Sequence, residues 1–239
     1  GERDFRRNNK HDLLFPISHA IQEQFPNKPS LVLPIMADTS EYEMPIQRSG
    51  KYKFILPANG LMKDSLYEIL EGIGSLSSEE LQRMEFHLTG VSKEKLDSVI
   101  DKTLLQKLDG TLILHSWMKY DKLVELYCKM HFLFLARETN QTTLSNFPSK
   151  VPEVMTYGVV PIVSRVGDYT QYYLEDGVNS LVFDGCDKKI CTETIRKALS
   201  LTYKQYIELS HGARKCAEEK FDYRNWSKII KDYIENLFE

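Results

Sequence analysis

Two lysines in this chain of 239 residues fall where loops open onto helices. Lys63 nearly closes the run Pro57-Ala58-Asn59-Gly60-Leu61-Met62-Lys63-Asp64. Gly60, after Asn59, lets backbone approach a ligand closely, and the helix that follows offers unpaired N–H groups, so the run suits a phosphate. Lys150 stands in the first turn of another helix, just behind Pro148 and Ser149. There a hydroxyl, an ammonium and free N–H groups converge, with the Val151 backbone beside them, an arrangement that holds a diphosphate without a metal. Glu153 follows about one helical turn later, where a carboxylate accepts both hydrogen bonds of a ribose diol. Arg137, Glu138 and Ser145 lie in the long polar loop before Pro148, a length that compact domains keep for loops with a task. Ser116, Trp117 and Met118 form a third loop, able to offer a base an apolar wall and backbone groups. Each has a plainer reading: an ordinary turn with an exposed lysine, or a solvated glutamate on a helix.

Other chemistries lack their residues. Cys128, Cys186, Cys191 and Cys216 form no CxxC, and no HxxxH pairing offers metal-ligand spacing, so no metal and no disulfide scaffold is expected. His19, His87, His115, His131 and His211 have no phased partner and read as packing or surface residues. No GxGxxG follows a strand, which sets aside a dinucleotide-binding oxidoreductase. Lys and Arg number 31 against 34 Asp and Glu, and a net charge of -3 provides no global field for a nucleic acid. No apolar run approaches the roughly 20 residues of a spanning helix, and the first ten residues lack a signal-peptide core. The expectation is a cytoplasmic chain, with peripheral association at the inner face of a membrane left open. The initial Gly1 suggests a piece of something longer.

These residues need a frame that brings loop ends together. Short apolar runs at 31–35, 54–56, 86–89, 111–114, 132–135, 159–163 and 181–183 read as strands buried on both faces. Amphipathic stretches at 64–75, 92–108, 119–130, 150–157 and 168–174 separate them, and Ser77 with Glu80 forms a capping arrangement. The alternation predicts an α/β fold, a Rossmann-like doubly wound parallel sheet of about six strands. Helices at 188–200, 203–220 and 225–238 follow. The last carries an apolar stripe (Ile229, Ile230, Tyr233, Ile234, Leu237) that reads as packing onto the domain, with part left bare if a partner domain is missing.

At these residues the sequence resembles the C-terminal, donor-binding domain of a two-domain GT-B glycosyltransferase, in the large retaining group called glycosyltransferase family 4. The stretch from Pro148 to Ser164, Pro-Ser-Lys-Val-Pro-Glu-Val-Met-Thr-Tyr-Gly-Val-Val-Pro-Ile-Val-Ser, is similar to the family's Glu-Ala-Met-Ala-x-Gly-x-Pro-Val segment in the variant preceded by Pro-Ser-Lys. Gly167 and the run Glu175-Asp176-Gly177-Val178-Asn179-Ser180-Leu181 continue the likeness. Lys63-Asp64 sits where the family has Lys-Gly or Lys-Asp. Residues 12–25 resemble the exit from an acceptor domain, which divides the chain into a remnant with its linker (1–30) and a donor-binding domain (31–239).

The resemblance implies Lys63 and Lys150 on a donor diphosphate, Ser149 and the Val151 backbone beside it, Glu153 on the ribose, and Trp117 with Met118 near the base. Two departures stand out. The family's first glutamate, eight positions before the second, is Ser145 here, and Glu138 lies fifteen positions before. The family's early arginine is missing, with Ala58 and Asn59 in that stretch. The implied function is binding of a UDP- or GDP-sugar, with no other cofactor. Retaining, metal-independent transfer would then go to an acceptor glycan or lipid-linked sugar on the absent domain, in polysaccharide biosynthesis. The alternative is a non-catalytic nucleotide- or sugar-binding α/β module. The fragment alone is expected to be inactive.

Overall fold

The computed structural model describes residues 12–40, 50–58 and 64–238. Among them, β1 (Tyr52–Pro57), β2 (Met84–Thr89), β3 (Leu112–His115), β4 (Phe132–Leu135), β5 (Val160–Ser164) and β6 (Leu181–Phe183) form one sheet. Every pairing is parallel and the spatial order is β3-β2-β1-β4-β5-β6. The apolar runs are continuous because the central strands are covered on both faces. Phe54, Ile55, Leu56 and residues 132–135 have no exposed surface. Six of the seven runs read from the sequence are these strands.

The seventh, 31–35, is not a strand. Pro29 and Pro34 have no N–H to give a ladder. Instead the Leu31 and Leu33 N–H groups donate to the Leu14 and Pro16 carbonyls, folding residues 12–40 into a strap. The strap carries the short helix α1 (His19–Gln22), and Phe25 and Leu33 bury themselves beneath it.

The connections are α2 (Leu66–Gly74) and α3 (Ser78–Gln82), α4 (Lys93–Asp97) and α5 (Lys102–Lys107), α6 (Tyr120–Tyr127), then α7 (Gln141–Leu144) and α8 (Lys150–Thr156). The capping arrangement at Ser77 is present in both directions: its hydroxyl accepts from the Glu80 N–H and its own N–H donates to the Glu80 carboxylate. The stretch 92–108 splits in two because Asp101 caps a new helix, accepting from the N–H groups of Thr103 and Leu104. A π-helical turn, Tyr169–Tyr173, follows β5. After β6 come α9 (Lys188–Leu199), α10 (Tyr203–Cys216), a second π-helical turn (Ala217–Phe221) and α11 (Tyr223–Phe238).

The stripe on α11 does not pack fully onto the domain, and Ile229 and Leu237 stay 45% and 39% exposed. The helix is fixed at its start instead. Asp222 accepts from Thr39 of the strap and from Arg224, and Arg214 donates to the Thr39 and Thr156 carbonyls.

One glycine in α10 is there for space. A Cβ on Gly212 would run into the backbone carbonyl of Val178, which cannot swing aside as a side chain would. Gly212→Ala is therefore expected to destabilise the fold by about 1–3 kcal/mol, as overpacking does. Thermal unfolding should register it as a Tm about 5 °C lower.

Candidate functional site

In this strand order the chain leaves β1 toward one edge of the sheet and resumes at β4 toward the other. A crevice therefore opens beyond the carboxyl ends of β1 and β4, where a doubly wound sheet takes its ligand. Asp64 enters it from the loop after β1, Arg137 from the loop after β4, and Lys150 from the start of α8. The entries are locked to one another through backbone. The Ser65 N–H donates to the Ala136 carbonyl at 2.9 Å. Ser164, the last residue of β5, accepts from the Arg137 N–H at 2.8 Å and donates to its carbonyl at 3.0 Å.

Three charges meet there. One Asp64 oxygen accepts from Arg137 Nε at 2.7 Å and the other from Lys150 Nζ at 2.8 Å. Asn146 Oδ1 accepts from Arg137 Nη1 at 2.9 Å. The side chains of Arg137 and Asp64 are 6% and 5% exposed, and that of Lys150 15%, so the ammonium is the more open of the two cations. Burial pushes the Asp64 carboxyl up, but Lys150 and Arg137 outweigh it and hold it below the usual carboxylate range. Burial also pulls the Lys150 ammonium below its ordinary value, with Asp64 opposing. An anion that accepted from both cations would relieve that cost.

Glu153 lies one turn along α8 from Lys150, within range of its charge. Burial raises its carboxyl above the ordinary value, and the Ser149 hydrogen bond and Lys150 only partly offset this. The folded protein thus holds the Glu153 proton more tightly than the unfolded chain does. The stability this group contributes is present below the unfolded value and lost as pH rises through the folded one. Glu153→Gln is expected to raise Tm at pH 7 by about 2 °C, with the gain vanishing near pH 4. Calorimetry at the two pH values checks it.

The remaining residues singled out in the sequence are scattered. Lys63, Asn59 and Gly60 lie outside the described residues. Val151 is fully buried and its N–H donates to the Pro148 carbonyl within the first turn. Ser149 and Glu138 are exposed, and Glu138 adds to the burial that pushes the Cys186 thiol up. Ser145 closes α7, and its carbonyl accepts from the Ser18 hydroxyl of the strap. Ser116, Trp117 and Met118 follow β3, two strands from β1, and the indole is 82% exposed.

Sequence reasoning missed several residues of the crevice. Asp64 reads as the neighbour of a lysine, and only the fold brings its carboxylate to Arg137 and Lys150. Tyr169 is fully buried, its hydroxyl without a hydrogen-bond partner among the described residues. Burial pushes it up to about 12 while Arg137 pulls the other way. Asp168 accepts from the His19 backbone N–H at 2.7 Å and pairs with its ring at 2.8 Å, closing the strap over this end of the sheet. Two histidines expected to lack partners form a pair, His87 Nδ1 lying 2.9 Å from His115 Nε2. They share neither helix nor strand, so no spacing within the sequence betrays them.

No known protein-family model matches the sequence, and no curated protein is similar to it at a significant level. Solved structures are similar in fold. Anabaena Alr3699/HepE in complex with UDP superimposes with a TM-score of 0.75 at 14% identity, over 94% of this chain and 64% of that one. A glycosyltransferase from Rickettsia africae ESF-5 gives 0.71 at 10% identity, over 92% and 62%. Sucrose-phosphate synthase from Thermosynechococcus elongatus gives 0.72 at 12% identity, over 96% and 59%. The chain spans about three fifths of the length of these proteins. Its fold is that of the C-terminal domain of a GT-B glycosyltransferase, as the sequence motifs led one to expect.

Proposed function

We propose that this chain is the donor-binding half of a glycosyltransferase and holds a nucleoside-diphosphate sugar of the UDP or GDP type. The observation that carries the reading is the convergence of Arg137 and Lys150, from separate loops, at the topological switch point of the sheet. Two fixed cations in a partly buried cleft match the two phosphates of such a donor, and UDP is bound in one of the similar structures.

In this reading the bond from the sugar to the diphosphate breaks with its electron pair on the leaving oxygen. Arg137 and Lys150 stabilise the charge that develops there, each fixed charge contributing a few kcal/mol in a closed cleft. Lys63 is assigned to the same diphosphate, with Ser149 and the Val151 backbone beside it. Glu153 takes the ribose hydroxyls, its carboxylate accepting a hydrogen bond from each hydroxyl of the diol. Asn59 and Gly60 are assigned to the phosphate end of the donor with Lys63, Ser116, Trp117 and Met118 to its base, and Glu138 or Ser145 to the place of the family's first glutamate. The acceptor, a glycan or lipid-linked sugar, sits on a domain that residues 1–30 connect to, and transfer retains the anomeric configuration without a metal.

Two measurements separate this from a non-catalytic binding module. Titration calorimetry of this chain with UDP-glucose, UDP-N-acetylglucosamine and GDP-mannose should give saturable binding for at least one. Joined to the sequence that precedes it, the chain should release nucleoside diphosphate from that sugar donor. Binding without any release would support the module, and binding of none of the three would remove both readings.

A further inference from the structure

The two cations of the crevice are already spoken for. Asp64 gives one carboxylate oxygen to Arg137 Nε and the other to Lys150 Nζ, at 2.7 and 2.8 Å, the groups that a phosphate would accept from. The three charges sum to one positive charge, so this cluster offers a diphosphate much less attraction than two bare cations would. Asp64 is not needed to place Arg137. The Arg137 backbone is tied at both N–H and carbonyl to Ser164, and Nη1 is held by Asn146. Nor does Asp64 place Lys150, whose backbone belongs to α8. Its carboxylate satisfies two buried charges when no ligand is there to do so, and must yield at least one of them when a ligand arrives.

We propose that Asp64 is a resident competing anion that returns to Arg137 and Lys150 as the nucleoside diphosphate leaves, and so sets the rate of product release. The inference rests on the donor-binding reading above. A carboxylate that displaces the diphosphate from within lowers the barrier to dissociation, because the cations are never left uncompensated. Encounter from solution is little changed, so the effect falls on the dissociation rate. For an enzyme that must discharge UDP or GDP after each transfer, such a group trades affinity for turnover.

The test measures dissociation of UDP, GDP and pyrophosphate from the wild-type chain, Asp64→Asn and Asp64→Glu by stopped flow, with uridine and guanosine as phosphate-free controls. Asp64→Asn is expected to slow release of the tighter nucleoside diphosphate about tenfold and to tighten pyrophosphate likewise, while its Tm falls. Asp64→Glu, which keeps the charge, should stay within about twofold of wild type, and nucleoside binding should not change. A purely structural Asp64 gives the opposite pattern, a lower Tm with faster release, and that result overturns the inference. So does unchanged release, or equal tightening of the nucleoside. If Asp64→Asn does not fold, Asp64→Ser takes its place with the same expectation. Wild-type protein that binds none of the phosphates removes the donor-binding reading itself, whereas normal wild-type binding with no gain in Asp64→Asn removes only the role of Asp64.

Discussion

Lys150→Met is expected to weaken UDP or GDP binding about 30-fold or more while leaving Tm within about 2 °C of wild type. Losing one partner of a desolvated charge pair across a binding interface costs about 2–5 kcal/mol, and every 1.4 kcal/mol is tenfold. Stability is spared for a separate reason. The ammonium is held below its ordinary proton affinity by burial, so it is a strained charge whose removal relieves a cost. Asp64 keeps its bond to Arg137, and methionine preserves the packed stem. Calorimetric titration with a thermal scan of the same samples reads both quantities. Undiminished affinity would take Lys150 out of the site.

Arg137→Met is expected to do damage of another kind. The guanidinium is more deeply buried than the ammonium and joins Asp64 and Asn146, so its loss takes one of two cationic partners from a buried carboxylate and a donor from the half-buried Asn146 amide. Removing one partner of a buried ion pair costs about 3–5 kcal/mol, and the remaining bond from Lys150 to Asp64 places this case near 3. In a chain of this size that lowers Tm by about 6–12 °C. The loss should depend on pH with a defined sign. The cations hold the Asp64 carboxyl low, so the stability it supplies is present above its unfolded value near 4 and is lost as pH falls through the folded one. The gap between wild type and variant is therefore widest at neutral pH and closes below about pH 4. A gap that is constant from pH 7 to pH 3 would show that Arg137 stabilises by packing alone.

These two variants mark what the sequence does and does not reveal. The sheet was legible because strands covered on both faces must be continuously apolar, and residues 132–135 could be little else. Lys150 was legible because Pro148 and Ser149 announce a helix start beside it. The run 31–35 misled because its leucines and valine look like a strand while Pro34 within it and Pro29 just before it cannot donate to one, and the strap that results is a long-range choice. The split of 92–108 turned on a single capping aspartate amid good helix formers. Asp64 was invisible as a site residue for a deeper reason. Its meaning lies in partners 73 and 86 positions away, and only the strand order brings them together. The stripe on α11 misled in the other direction, since amphipathic spacing says that a face wants cover without saying what covers it.

The central claim is that the cleft of Asp64, Arg137 and Lys150 receives the diphosphate. It is tested most directly by side-chain NMR of Arg137 Nε–H and Lys150 Nζ during titration with UDP and with GDP. The expected result is that one nucleotide gives saturable shifts that are largest at these two groups, and that inorganic pyrophosphate moves the same two resonances. Shifts confined to residues elsewhere, such as the 500 Å³ cavity beside Tyr172 and Lys215, or no shift at millimolar nucleotide, would contradict it.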